Sequence, residues 1–153
     1  MVKRMTILIL FLITSYSYSQ SGNLQITYLR DLNFQLIIPG VQKTITELSP
    51  QSGKITVTGD GSRMTVSVSF SLSQNLTNGP MNMPVVYTAT YSNNSNDNQP
   101  GIPFNPYTGT TLTFDDKSKE YYIKLGGTIN PSPVQSAGNY SDAMIIILTT
   151  LTN

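Results

Sequence analysis

Residues 54–72 read KITVTGDGSRMTVSVSFSL, and this stretch indicates the fold class. Two runs of alternating apolar and polar residues flank a turn made of Gly59, Asp60 and Gly61. The apolar positions are Ile55 and Val57 in the first run and Met64, Val66, Val68, Phe70 and Leu72 in the second. A two-residue period is typical of β-strands with one buried face, and glycine tolerates the positive φ of tight turns. The stretch therefore predicts two strands joined as a hairpin.

The same period recurs along most of the chain. PVVYTATY (84–91) alternates in the same way, and TTLTFD (110–115) and YYIKL (121–125) follow, separated by the polar segment DKSKE. The 84–91 run places Val85, Tyr87, Ala89 and Tyr91 on one face. No apolar pattern with a 3.6-residue period runs for three turns after residue 19. We therefore expect an all-β sandwich or barrel, with about seven to nine mainly antiparallel strands and a long polar loop over 92–109.

The N-terminus, MVKRMTILILFLITSYSYSQSG, has the three-part layout of a secretory signal peptide. Lys3 and Arg4 precede an apolar core at 5–13, and small polar residues follow. That core is shorter than the roughly 20 residues that cross a bilayer. We expect cleavage after Ser19 and export of residues 20–153 as one domain, to the periplasm, the cell surface or the extracellular space.

The composition restricts what the exported chain can bind. Removal of the first 19 residues leaves seven basic and eight acidic residues, with no basic patch for nucleic acid. Charged residues make up only 11% of the chain, against about 25% in ordinary soluble domains. The chain has no cysteine, which excludes disulfides and a lipid anchor on cysteine. Stability must therefore come from the core, from strand pairing or from partner chains.

The residue types of common catalytic sites are missing. The chain has neither histidine nor cysteine, which excludes an imidazole base, a Ser-His-Asp triad and thiolate or zinc chemistry. Asp115 or Asp116 with Glu120 could resemble a glycosidase pair, but lysines interleave them and favour a solvated turn. Residues 93–98, NNSNDN, offer oxygen ligands of the kind that calcium takes, but Asp97 is their one carboxylate. We expect no catalytic residue, no cofactor and no metal site.

The chain ends on turn residues and an apolar run, LGGTINPSPVQSAGNYSDAMIIILTTLTN. Gly126, Gly127 and Gly138 are expected to let the backbone turn sharply, and Pro131 and Pro133 to keep the loop out of the sheet.

A strand with an apolar residue at every position promotes aggregation when it lies half exposed at a sheet edge. We therefore expect the run at 143–148 to be a central core strand, paired on both sides and covered on both faces. Its two faces are Ile145 and Ile147 on one side and Met144, Ile146 and Leu148 on the other.

The closing motif and the opening motif carry a family resemblance. After Gly126 and Gly127, the residues Gly138, Tyr140 and Asp142 match a Gly-x-Tyr-x-(Asp/Gly) ending followed by a strand. This ending resembles that of the bacterial domain-of-unknown-function 4402 family, and it is similar to spore coat protein U and to fimbrial subunits of the chaperone–usher type.

The opening stretch RDLNFQLIIPG (30–40) is similar to the first strand of that family and its Pro-Gly turn. The matching residues are Asp31, Leu32, Phe34, Pro39 and Gly40. Gln35 departs from the pattern, because the family commonly has glycine there. Since residues 52–68 match the central hairpin of the family, the resemblance spans nearly the whole mature chain.

The resemblance implies an immunoglobulin-like β-sandwich that serves as a building block or adhesive element outside the cell. In the usher-assembled relatives each subunit lacks one strand, which the N-terminus of the next subunit supplies. Here Leu24, Ile26 and Tyr28 alternate with polar residues, and the alternation breaks at 28–31. Two interpretations remain open: residues 20–30 are a donor arm, or they form the first strand of their own domain with a bulge.

Two functions follow from these observations. The first is an exported structural or adhesive surface protein, a pilin-like fimbrial subunit assembled by β-strand addition. Its partners would be copies of itself or other pilin-like subunits, and a periplasmic chaperone. The alternative is a monomeric secreted module that binds glycans or another surface ligand through the 92–109 loop and exposed tyrosines. The mature chain has no predicted membrane anchor, and an enzyme is the least favoured class.

Overall fold

The computed structural model describes residues 23–151, so the expected signal peptide at 1–19 lies outside the described residues. The described part of the chain is all-β. Its strands are β1 (Leu24–Arg30), β2 (Lys43–Ile45), β3 (Gly53–Gly59), β4 (Met64–Ser71), β5 (Asn75–Asn78), β6 (Met81–Ser92), β7 (Ile102–Phe104), β8 (Thr110–Phe114), β9 (Glu120–Ile129) and β10 (Ile145–Leu151). Within residues 23–151, no helix is long and apolar enough to cross a membrane.

The ten strands form two antiparallel sheets, which confirms the all-β prediction. The seven-stranded sheet has the order β1-β3-β9-β6-β5, with β2 paired to β9 and β7 paired to β6. The three-stranded sheet has the order β10-β4-β8. The strand number exceeds the expected seven to nine because β2, β5 and β7 contain only three or four residues each. Strands this short are difficult to detect by alternation in the sequence.

The main core cluster lies between the two sheets. Its buried members are Val57, Val66, Val68, Phe70, Ala89, Leu112, Phe114, Ile123 and Leu125. Phe114 of the smaller sheet meets Tyr121 of the larger sheet edge to face, with 5.0 Å between the ring centroids. The alternation predicted for 64–72 and 84–91 is confirmed, because Val66, Val68 and Val85 are buried while their neighbours in sequence are exposed or less buried. In β3 it holds only in part: Val57 is buried, but Ile55 is less buried than the flanking Lys54 and Thr56. Burial of each such side chain contributes about 1.5–3 kcal/mol.

A second core cluster is covered by connecting segments instead of strands. All its strand residues belong to the larger sheet: Ile45, Leu76, Met83, Val85, Tyr87 and Ile129. The smaller sheet does not extend over them. Phe34, Leu32 and Ile37 from the β1–β2 segment, and Tyr140 and Met144 from the β9–β10 segment, pack there instead. The two segments with the family-like motifs therefore close this half of the core.

The hairpin prediction for residues 54–72 is wrong. β3 pairs with β1 and β9 in one sheet, whereas β4 pairs with β10 and β8 in the other. The Gly-Asp-Gly turn, in which Gly61 has φ +93°, therefore carries the chain from one sheet to the other. The segment DKSKE does the same between β8 and β9. Alternation shows that each strand buries one face, and it is identical for strands that lie side by side and for strands that face each other across a core.

The glycine pair of the closing stretch has a different role from the predicted one. Gly126 and Gly127 do not turn the chain, because both lie inside the continuous strand β9. A Cβ atom on Gly126 would lie 2.6 Å from the carbonyl oxygen of Ile45 and 2.8 Å from Oγ1 of Thr88. Glycine is required here because neighbouring groups on β2 and β6 leave no space for a side chain.

Two other expectations about loops have different outcomes. Pro39 and Gly40 form the predicted turn, in which Val41 N–H donates to Ile38 C=O and Gly40 has φ +73°. The stretch 92–109 is not a loop throughout, because β7 lies inside it and pairs with β6. Only residues 93–101 form the connection that we call the β6–β7 loop.

Candidate assembly surface

The C-terminal strand β10 lies at the edge of the smaller sheet and pairs there with β4. Its exposure alternates along its whole length, and Ile145, Ile147 and Leu151 are 60%, 47% and 44% exposed. The opposite face, with Met144, Ile146 and Leu148, packs against the main core. The expected separation into two faces is therefore present, but the expectation of a central core strand covered on both faces is wrong. An apolar residue at every position indicates that both faces need a cover, but it does not show whether a loop, a sheet or a partner provides it.

Every other edge strand of the described fold carries a feature that opposes strand addition. β1 has a bulge, because its register with β3 shifts between Tyr28 and Arg30. β7 is three residues long and contains Pro103. β5 is bridged through Thr77 to Ser141 of the β9–β10 segment. β2 is three residues long.

β8, at the opposite edge of the same sheet, is protected by side chains. Tyr121 Oη donates a hydrogen bond of 2.8 Å to the carbonyl oxygen of Thr113, and the carboxylates of Asp115 and Asp116 follow the strand. By contrast, residues 145–151 contain no charge and no proline, and their register with β4 is unbroken. β10 is thus the edge strand without protection.

The candidate assembly strand at the N-terminus belongs to the fold of its own chain. Leu24, Ile26 and Tyr28 lie in β1, which pairs with β3 from Leu24 to Arg30. Leu24 packs against the main core, whereas Ile26 and Tyr28 are exposed. The structure therefore has the bulged first strand of the second interpretation, and a role of these residues in assembly stays a prediction.

The structure also shows a charged cluster that the sequence analysis missed. Arg30, Lys54 and Lys124, from three adjacent strands, converge on Asp97 of the β6–β7 loop. Asp97 Oδ1 lies 2.5 Å from Lys54 Nζ, and Asp97 Oδ2 lies 2.8 Å from Arg30 Nη1. The nearly fully buried Lys124 donates to the backbone carbonyl of Asp97 at 2.9 Å. The only hint in the sequence was that Lys54 and Lys124 each lie within a run of strand-forming residues.

The cluster shifts the pKa values of Asp97 and Lys124. The hydrogen bond from Lys54, aided by Arg30, lowers the pKa of Asp97 to about 2. Burial lowers the pKa of Lys124. Because Asp97 is surrounded by cations, its carboxylate is not available to calcium. The cluster instead fastens the β6–β7 loop to the larger sheet.

The two family-like motifs meet at a cleft of about 440 Å³. Its lining includes Asp31, Leu32 and Phe34 from the opening motif and Gly138, Tyr140 and Asp142 from the closing motif. Chain positions more than a hundred residues apart therefore form one feature, which their sequence spacing could not show.

Two positions that line this cleft, 35 and 138, have backbone or space requirements that favour glycine. Gln35 has φ +54° and is the one non-glycine residue with a positive φ in the described range. Such a conformation costs roughly 1–2 kcal/mol for a residue with a Cβ atom, so a glycine at this position would suit the backbone. Gly138 faces the side chain of Asn78, whose Nδ2 would collide with any added Cβ.

Polar contacts hold the remaining walls of the cleft. Tyr140 Oη accepts a 2.6 Å hydrogen bond from Gln135 Nε2 and donates to the carbonyl of Ser136 at 3.0 Å, which closes its own loop. Burial, followed by the charge of Asp142, raises the pKa of Tyr87 to about 12. Tyr87 is therefore neutral at physiological pH.

Two of the acidic residues considered as a glycosidase pair, Asp115 and Glu120, make local hydrogen bonds. Asp115 Oδ1 accepts hydrogen bonds from the backbone N–H of Lys117 and Ser118, and these bonds lower the pKa of Asp115. Glu120 accepts a hydrogen bond from Tyr122 Oη. Among residues 23–151, no group of three or more acidic side chains is placed to hold a metal ion.

Comparison with known proteins gave no match, either to a protein-family model or to a curated protein.

Proposed function

We propose that this protein is an exported structural or adhesive surface protein, a pilin-like subunit that assembles by β-strand addition. The observation that carries the proposal is the apolar, unprotected edge of β10. Main-chain groups on such an edge pair readily with another strand, and the exposed side chains at alternate positions add specificity. Natural proteins usually block an edge of this kind, as this chain does at its other edges, so an open edge favours a role in assembly.

Three further observations support the proposal. The N-terminus has the pattern of a signal peptide, so the chain would act outside the cytoplasm. The two packed antiparallel sheets suit an immunoglobulin-like sandwich, the fold that the family resemblance implies. The opening and closing motifs also meet at one cleft, and Gln35 has the backbone conformation that glycine prefers.

Light scattering after size-exclusion chromatography of residues 20–153 tests this function. We expect a mass greater than that of one chain, because the β10 edge recruits a partner strand. Ile147→Lys places a charge on the exposed face of that edge and should reduce the mass to a single chain that remains folded, as circular dichroism would show. Thr113→Lys is the matched control, since Thr113 is exposed on the protected edge of the same sheet, and it should leave the association intact.

A folded single chain at every accessible concentration would contradict the proposed function. That result would favour the alternative, a monomeric module for glycans or another surface ligand. The cleft supports this alternative, because its lining combines carboxylates and amides from Asp31, Asn33, Gln35 and Asp142 with apolar side chains such as Leu76 and Met144. Among residues 23–151, no lysine or arginine lines the cleft, so its described lining suits hydroxyl groups better than anions. Glycan binding that Asp142→Asn weakens would establish the alternative.

A further inference from the structure

The exposed edge strand β10 is uncharged, so it can pair with a copy of itself without placing like charges opposite each other. Residues 145–151 read IIILTTL, with Leu148 at the centre. When such a strand meets a copy of itself antiparallel and centred on Leu148, position 147 faces position 149, position 146 faces 150 and position 145 faces 151. Each facing pair joins two uncharged residues, mostly β-branched, so no like charges oppose each other.

This centred register also keeps the two faces of the sheet in phase. Ile145, Ile147, Thr149 and Leu151 are the exposed face of β10, whereas Ile146, Leu148 and Thr150 are less exposed. Facing positions differ by an even number, so exposed residues meet exposed residues and inward residues meet inward residues. A register shifted by one residue would place the apolar inward set opposite the solvent face. The centred register is also the one that pairs all seven residues.

We propose that β10 pairs with β10 of a second copy of this chain, antiparallel across a two-fold axis through Leu148. The two three-stranded sheets then join into one six-stranded sheet with the order β8-β4-β10-β10-β4-β8. A two-fold interface uses both unprotected edges at once, so this contact closes at a dimer, and a longer assembly would be built from such dimers through another surface. The inference rests on the proposed function, because it names the partner of the same edge.

Disulfide cross-linking tests this register. The natural chain has no cysteine, so only the introduced cysteines can form a disulfide. Ile147→Cys and Thr149→Cys are prepared separately on residues 20–153, and both positions are exposed. Directly facing residues of an antiparallel pair lie within disulfide range, whereas diagonal neighbours, at about 7–8 Å, lie outside it. We therefore expect a covalent dimer when the two variants are mixed and oxidised, and little dimer from either variant alone.

Controls separate this inference from the broader function. Thr113→Cys, on the protected edge, should not cross-link, and all variants should keep the melting temperature of the natural chain. If light scattering shows self-association but the mixed variants do not cross-link, the two-fold pairing is overturned while the proposed function stands. Equal cross-linking of each variant alone would overturn the centred register. A chain that stays monomeric would overturn both proposals.

Discussion

Replacement of Asp97 by asparagine measures how much the charged cluster beneath the β6–β7 loop stabilises the fold. The pKa of Asp97 is lowered from 3.8 to about 2 by Lys54 and Arg30. A carboxyl whose pKa is lowered in the folded state contributes stability above its unfolded pKa, and this contribution is lost as the pH falls through the folded value. The relevant window is therefore about pH 4 down to about pH 2.

The size of the effect follows from the shift and the exposure. At about 1.36 kcal/mol per pKa unit, the full shift corresponds to at most about 2.4 kcal/mol. The Asp97 side chain is 40% exposed, however, so water and salt screen its ion pairs. We therefore expect the Asn variant to lose about 1 kcal/mol of unfolding free energy at neutral pH. Protonation removes the same charge from the natural protein at low pH, so the difference between the two proteins should vanish near pH 2.

Urea denaturation followed by circular dichroism at several pH values gives the two stability curves. Asp116→Asn, in the exposed turn after β8, removes one negative charge elsewhere and should change stability little at any pH. Parallel curves for the natural protein and Asp97→Asn between pH 2 and pH 7 would refute the reasoning. A constant difference would mean that the loss comes from packing or hydrogen bonding and not from the ionised carboxylate.

Three further predictions concern the backbone and the cleft. Gly126→Ala should lower the unfolding free energy by more than about 2 kcal/mol, because the added Cβ collides with the backbone. Gly79→Ala is the control: it lies in open space at φ +59° and should lower the unfolding free energy by only about 1 kcal/mol. Equal losses in thermal unfolding would argue against the collision. Gln35→Gly should be at least as stable as the natural protein and Gln35→Val clearly less stable, and the reverse order would contradict the positive φ. Tyr140→Phe should cost about 1 kcal/mol through its lost hydrogen bonds, as measured by chemical denaturation, and an unchanged midpoint would exclude that role for the hydroxyl.

The sequence predicted those properties that depend on neighbouring positions. Alternation correctly placed Val57, Val66 and Val85 in the core, because the orientation of a side chain on a strand follows from its position alone. It could not show which strands pair, so the Gly-Asp-Gly turn between β3 and β4 was assigned to a hairpin. Turn chemistry is similar in both cases, and only the packing of the whole chain decides between them.

Features that depend on long-range packing were missed for the same reason. The glycine pair in β9 was interpreted as a turn because the sequence does not show that Ile45 and Thr88 crowd the strand. Asp97 looked like part of a solvated loop, although three cations from separate strands surround it. The sequence shows that every position of the run at 143–148 is apolar. Its place at a sheet edge depends on the number of strands available to cover it, which the sequence does not show.

The partnership of β10 with β4 has a kinetic consequence. Ser71 pairs with Ile145 and Thr65 pairs with Leu151, so the last strand closes contacts with residues 74 to 86 positions earlier. High contact order of this kind slows folding, to milliseconds or seconds in all-β domains. If the chain is exported N-terminus first, as we propose, β4 has no partner on this side until residues 145–151 have emerged. We therefore expect a late and rate-limiting docking of β10, and a nascent chain that is exposed to misfolding until residues 145–151 emerge.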